Sequence, residues 1–284
     1  MSNTDIFFTF FGVRGSYPVA GESVKKYGGN TTSLLIEQGQ NIVIFDAGTG
    51  IIRLGEYLRD ERPEAREIHL FLTHFHLDHL MGMSFFHPFS DKSYHIHIYY
   101  PDVTGIDINK TLFSMFEPPF SPIGRDGILA NISLTPLDTR KEQAVALNGD
   151  LEVHSHYDRN HPVHGVMVFK AINQGKQLVF ATDIEPNGSY EKDLKAFIHG
   201  ADVLIHDAQY LDSDYYNPDS PTKGYGHSTF TMAVNNAIEE KAKKLYLFHH
   251  NPLYSDEKLE QILKDVRKQF KHTYLSKEYE KNSV

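Results

Sequence analysis

The run Thr73-His74-Phe75-His76-Leu77-Asp78-His79 constrains this chain more than any other stretch. It sets three imidazoles and a carboxylate within six residues, directly after an apolar, strand-like segment from His69 to Thr73. Alternate residues of an extended backbone share a face, so His74 and His76 project the same way. Asp78 and His79 lie past the bend, where a helix beginning there would aim them at the same volume. Neutral imidazole and carboxylate are the ligands of zinc, manganese and iron. Two such cations a few ångströms apart would make the chain a hydrolase.

Composition narrows the remaining classes. The 284 residues are 40% hydrophobic and 23% charged, with no charge block or low-complexity tract, which suits one globular domain over 1–284. No stretch approaches the roughly 20 apolar residues that a bilayer crossing needs. The opening MSNTDIFFTFFG has neither a basic n-region nor a small-residue cleavage site, so it does not read as a signal peptide. Disulfides and thiolate metal ligands are excluded because there is no Cys, and the expected location is cytoplasmic. A net charge of -9 argues against a nucleic acid as the main partner, since polyanion binding normally needs a basic face.

Strands and helices alternate along the chain. Strand-like runs fall at 5–11, 32–37, 41–46, 67–73, 94–99, 131–135, 150–156, 164–170, 176–181, 202–206 and 244–248. Helical patterns fall at 51–60, 79–87, 106–116, 189–199, 229–240 and 256–270, the last with Leu259, Ile262, Leu263 and Val266 at helical spacing. Such a mixture predicts an α/β chain with two sheets held between outer helices. Each half holds strands followed by helices, which suits a pseudo-symmetric pair. Segment 100–130, with FEPPFSPIG, is a candidate insertion over a site.

THFHLDH resembles the His-x-His-x-Asp-His signature of the metallo-β-lactamase superfamily, whose fold is a four-layer αββα sandwich with a dinuclear metal site at one edge. Further landmarks follow in order: FDAGTG at 45–50, HP at 161–162, ATD at 181–183, GHST at 226–229 and FHH at 248–250. The last two are similar to motifs of the branch holding ribonuclease Z and related phosphodiesterases. By this resemblance His74, His76 and His161 would hold one divalent ion, zinc or manganese, and Asp78, His79 and His249 a second. Asp183 would bridge them, since a carboxylate can offer one oxygen to each cation. Asp46 in the FDAGTG stretch would accept a hydrogen bond from a ligand imidazole and fix its tautomer.

Plainer roles stand beside each of these. His154, His156, His161 and His164 crowd one region; His161 matches the family position, with His164 the runner-up, and His154 and His156 suit a solvated strand face. The family usually has a Gly several residues after this His, where Met167 stands here. Asp183 could instead cap the helix near 189. His250 points away from His249 in an extended backbone, and His95 and His97 repeat the alternate spacing without an accompanying acid. GHST implies that His227 touches or protonates the scissile phosphate, at a helix N-terminus that favours anions. Ser228 and Thr229 could equally be ordinary caps with His227 exposed. HDAQ at 206–209 is similar to the HEAT stretch of the same branch, so Asp207 would orient His227, with His206 buried and hydrogen-bonded. Arg14 in GVRGS could contact a phosphate or stand exposed in its loop.

The resemblance implies a metal-dependent phosphodiesterase, with Asp78, His227 and Asp207 doing chemistry. No flexible basic Gly/Pro-rich arm of the ribonuclease Z kind is visible, which disfavours transfer RNA processing. GVRGS, YGGNTTS and DAGTG are more similar to small cyclic phosphodiesterases, although the phosphoribosyl branch uses a Cys-containing zinc site that this chain cannot build. The expected substrate is therefore a small, cyclic-nucleotide-type phosphodiester. Ribonuclease-Z-like 3′-processing and lactonase or β-lactamase-like hydrolysis are the alternatives. Phe113, Phe116 and Phe120 could stack on a base, or else form a hydrophobic plug or a homodimer contact.

Overall fold

The structure, a computed structural model, describes residues 5–186 and 191–284. In spatial order the first sheet runs β14 (Lys281–Ser283), β1 (Phe7–Gly12), β2 (Ser33–Gln38), β3 (Asn41–Phe45), β4 (Glu67–Phe71), β5 (His95–Pro101) and β6 (Asn131–Leu137). The second runs β7 (Gln143–Ala146), β8 (Glu152–Asp158), β9 (Val166–Asn173), β10 (Lys176–Ala181), β11 (Val203–Asp207), β12 (Lys244–Phe248) and β13 (Thr273–Leu275). Counted from β14 and from β7, each sheet makes antiparallel pairings first and parallel pairings after, so the two halves repeat one plan.

Side-chain alternation explains the layers. In β3, Val43 and Phe45 face the second sheet while Ile42 and Ile44 face the outer helices. In β10, Leu178 and Phe180 face inward while Val179 and Ala181 face out. Strands buried on both faces read as unbroken apolar runs, which is what both sequences show. Between the sheets lies an aromatic core: Phe45 stacks on Phe169 at 5.1 Å and on Phe180 at 5.4 Å.

Helix α1 (Gly50–Glu61) covers the first sheet with Ile51, Leu54 and Leu58. Two short helices, α2 (Ile108–Phe113) and α4 (Asp212–Tyr215), lie in connections. The second sheet is covered by α3 (Glu191–Ile198), α5 (Phe230–Glu239) and α6 (Asp256–Val266). The result is the expected αββα sandwich.

Local departures have local causes. The helix expected over 79–87 is replaced by three 3-10 turns, Leu77–His79, Met83–Phe85 and His87–Ser90, which are parted where Leu80 leaves the helical region and where Phe86 is extended. The pattern at 106–116 narrows to α2, capped by Asp107, and the last helix stops at Val266 rather than 270. Part of the helix expected from 189 lies outside the described residues. Strands β7, β13 and β14 have only three or four residues, too few to show a period. In the candidate insertion, Phe113 and Phe116 are buried against the outer face of the first sheet, with Phe116 edge-on to Phe89 at 5.5 Å. They form a plug, and only Phe120 is left exposed to stack on anything.

Candidate metal centre

Ligand-type side chains converge where the parallel strands of both sheets end, the place such sheets offer for ligands. Asp46 follows β3, the His74–His79 run follows β4, Asp183 follows β10, Asp207 ends β11 and His249 follows β12. His161 arrives from the connection between β8 and β9. Three of these residues adopt the left-handed backbone that non-glycine residues avoid: Asp46 at φ 64°, Asp183 at φ 54° and His249 at φ 60°. Each conformation turns the chain sharply off its strand and costs of the order of 1 kcal/mol or more, a strain that clusters at functional sites.

Two groups of donor atoms result. One brings together His74, His76 and His161; the other Asp78, His79 and His249. Asp183 stands between them with one oxygen toward each. Its Oδ1 is 3.8 Å from His74 Nε2 and 3.9 Å from His161 Nε2, while its Oδ2 is 3.3 Å from His79 Nε2 and 3.4 Å from His249 Nε2. Asp78 Oδ2 completes the second group at 3.5 Å from His79 Nε2 and 3.4 Å from His249 Nε2. His164 is not in either group; its carbonyl accepts a hydrogen bond from the Tyr157 hydroxyl. Met167 is buried between the sheets, where its N–H donates to the Thr73 carbonyl at 2.8 Å and ties the second half to the histidine run.

Four of the imidazoles, those of His74, His79, His161 and His249, are held by the nitrogen they turn outward. His79 Nδ1 donates to Asp46 Oδ2 at 2.8 Å, His161 Nδ1 to the Gly226 carbonyl at 3.0 Å and His249 Nδ1 to Gln209 Oε1 at 2.9 Å. His74 Nδ1 donates to Thr73 Oγ1 at 2.9 Å, and that hydroxyl donates onward to Asp46. A neutral ring whose Nδ1 carries the proton presents a bare lone pair at Nε2. Accordingly His74 Nε2, His79 Nε2 and His249 Nε2 are buried with no hydrogen-bond partner, an expensive state that a cation would relieve. His76 turns its Nδ1 inward instead, 3.1 Å from His161 Nε2.

The electrostatics point the same way. Burial, reinforced by neighbouring histidines, holds His74 well below 6.5 and His161 down at about 4, so both stay neutral and able to ligate. Burial also opposes charge on His79, yet Asp183, Asp78 and Asp46 outweigh it and raise its pKa well above 6.5. The second group therefore draws in positive charge, which a divalent ion would supply in place of that proton. The residues present fit a divalent metal in both groups.

His227 lies beside both groups. Its ring is 5.5 Å from that of His161 and 4.9 Å from that of His249, stacked on the latter. Its Nδ1 donates to Asp207 Oδ2 at 2.8 Å. Asp207 Oδ1 accepts from the N–H groups of Gln209 and Ser228, which fixes the carboxylate. Thr229 is indeed the cap of α5, accepting from Met232 N at 3.2 Å, but this leaves His227 only 8% exposed rather than loose in solvent.

Other candidates settle elsewhere. Arg14 is wholly buried, so it is neither an exposed loop cation nor open to a phosphate. Its guanidinium donates to the carbonyls of Gly28, Asn251 and Tyr254, because three inward-pointing carbonyls need a multivalent donor. His206 is buried and bonded to Asp207 O and Asn236, and His250 turns to the Ser276 carbonyl. His154 and His156 pair with Glu152 and Glu142 on their strand face. His97 is held between Ser133 and Glu67 and stacks on His69, at the strand ends opposite to the centre.

Sequence reasoning missed the supports. Thr73, Gln209 and Gly226 stood inside quoted motifs without a role, and Ser16, whose N–H donates to Asp78 Oδ2 at 2.7 Å, was passed over in GVRGS. Position within the motifs was the only signal available for them. Gly226 is required on two counts: its φ is +86°, and a Cβ there would come within 2.3 Å of His161 Nδ1. Glu185 had no signal at all; its carboxylate accepts from Gly224 N at 2.7 Å, Gly226 N at 2.9 Å and the Tyr215 hydroxyl.

An αββα sandwich with paired His/Asp groups at its strand ends defines a hydrolase of the metallo-β-lactamase superfamily. The chain belongs to the family described as the beta-lactamase superfamily domain, which matches residues 8–250. It is similar to a ribonuclease Z of Picrophilus torridus, 25% identical over 95% of this chain and 93% of the relative. Among solved structures it resembles the metallo-beta-lactamase fold protein YhfI of Bacillus subtilis, at 18% identity and TM-score 0.69 over 99% of this chain and 100% of that one. It also resembles a diphosphatase from the PhnP family, at 16% identity and TM-score 0.66 over 98% of both chains. Among the described residues no helix is long and apolar enough to cross a membrane.

Proposed function

We propose that this chain is a dinuclear metal-dependent phosphodiesterase acting on a small nucleotide-type phosphodiester, cyclic ones included. His74, His76 and His161 would hold one divalent ion, zinc or manganese, and Asp78, His79 and His249 the other, with Asp183 shared. Two such ions lower the pKa of a water toward neutrality and stabilise charge on the phosphoryl oxygens. Asp78 turns Oδ2 toward the second group, which leaves Oδ1 to take the proton of the attacking water. That water oxygen bonds to phosphorus as the P–O bond to the leaving alcohol breaks. His227, held at Nδ1 by Asp207, delivers the proton from Nε2 to the departing oxygen. One water is consumed, and an alcohol and a phosphomonoester result.

The observation that carries this reading is the position of His227 against one imidazole from each group. Burial lowers its pKa, but Asp207 and the other carboxylates outweigh burial and raise it, so the ring keeps a proton to give. The second reading, 3′-processing of RNA, is favoured by the relatives named ribonuclease Z, so the expectation that nucleic acid is not a partner gains no support from them. The net charge of -9 counts against it. The test is turnover by the metal-reconstituted protein of bis-p-nitrophenyl phosphate, 2′,3′- and 3′,5′-cyclic nucleotides, a precursor transfer RNA, a lactone and nitrocefin. Cleavage of lactone or nitrocefin without any phosphodiester would overturn it.

A further inference from the structure

Beside the second donor group opens a cavity of about 500 Å³. Ser16, which donates to Asp78, and Gln209, which accepts from His249, both line it. We propose that this cavity is a nucleoside subsite, taking the base and sugar of one ester arm; the inference rests on the phosphodiesterase reading above and names its substrate class.

Its lining has the chemistry of a heterocycle and not of a second phosphate. Tyr17 and Leu253 stand at the mouth, 46% and 79% exposed, and Tyr210 lies deeper at 8%. Flat rings and an aliphatic side chain at an opening suit stacking on the face of a base. Asn217 and Asn251 spend Oδ1 on the N–H groups of Asp219, Ser220 and Leu253, so what their carboxamides offer the edge of a heterocycle is the NH2 donor. The charges nearly cancel. Asp214 accepts from the Tyr254 hydroxyl, and Lys258 lies over the Tyr254 ring at 3.9 Å, so a polyanion would find a single cation already engaged. Ser16 and Gln209 link this space to the second donor group, so an ester arm that leaves the centre past these two residues would enter it.

The test uses the full-length, metal-loaded protein in equilibrium dialysis against adenosine, guanosine, cytidine and uridine 5′-monophosphates, with inorganic phosphate as reference. At least one nucleotide is expected to bind more tightly than phosphate, and the Tyr17→Ala/Leu253→Ala double variant to bind it at least about fivefold more weakly, as loss of base stacking implies. Both side chains are exposed, so the variant keeps its fold. Nucleotides that bind no better than phosphate, or a smaller loss in the variant, would overturn the proposal. In parallel, the ratio of kcat/KM for the p-nitrophenyl ester of thymidine 5′-phosphate to that for methyl p-nitrophenyl phosphate is expected to fall at least fivefold in the variant. If neither ester turns over while dialysis still shows nucleotide lost by the variant, the hydrolase reading fails and the subsite stands.

Discussion

Replacing Asp46 by Asn tests how the centre is held without touching a proposed ligand. The carboxylate is wholly buried and accepts from Thr73 N at 2.8 Å, the Thr73 hydroxyl at 2.9 Å and His79 Nδ1 at 2.8 Å. An amide of the same shape keeps one acceptor oxygen, which the Thr73 N–H and hydroxyl claim. Its NH2 then faces His79 Nδ1, and two donors cannot share that contact. His79 must move its proton to Nε2, the nitrogen aimed at the second donor group, and a protonated nitrogen cannot ligate. The loss is one charge-assisted hydrogen bond plus the tautomer, about 1.5–3 kcal/mol, or roughly 10–100-fold in metal affinity at that group. Elemental analysis after dialysis against buffered free zinc should show one ion retained and the second lost at concentrations that saturate the wild type. If Asp46→Asn kept both ions with unchanged affinity, the tautomer argument would be refuted.

Four further outcomes are expected. His227→Ala should lower phosphodiester turnover by about 10²–10⁴ with metal content intact, as loss of a proton donor implies; unchanged turnover would remove its role. Asp183→Asn should drop bound metal below two per chain, and two retained ions would refute the shared oxygen pair. Arg14→Ala removes the guanidinium that serves the carbonyls of Gly28, Asn251 and Tyr254 and faces Asp256 at 3.6 Å, so urea unfolding should show a loss of about 3–5 kcal/mol, and an unchanged midpoint would contradict it. In the metal-free protein His161 has a folded pKa of about 4 against an ordinary 6.5, so the unfolded chain binds the extra proton. Stability from this group is therefore complete above pH 6.5 and falls by up to about 3 kcal/mol as the pH drops toward 4, a slope that His161→Asn should reduce in urea titrations at pH 7 and pH 5.

Much of the centre was legible because its donors are clustered along the chain or end apolar strands. His74, His76, Asp78 and His79 occupy one turn, and Asp183 and His249 each close a run that reads as a strand. His161 was harder. Four histidines lie within 154–164, and spacing does not say which turns inward; the Gly226 carbonyl, 65 residues away, holds His161 there. The helix expected after His79 failed for a related reason, since the hydrophobic period runs on through Leu80 and Phe86, where the backbone leaves the helical region.

By itself the sequence determined the layers and the ligand inventory, because alternation sets which face of a strand is buried and residue type sets what can bind a cation. Only the tertiary structure decided the pairing of donors into two groups and the tautomers that aim them. It also decided that Arg14 is an internal tie and that Phe113 and Phe116 are core. Those outcomes depend on contacts between residues far apart in the chain: Asp46 with His79, Asp207 with His227, Gln209 with His249. A hydrogen bond across such a distance leaves no periodic mark in the chain, so it exists only once the strands that carry its partners lie side by side.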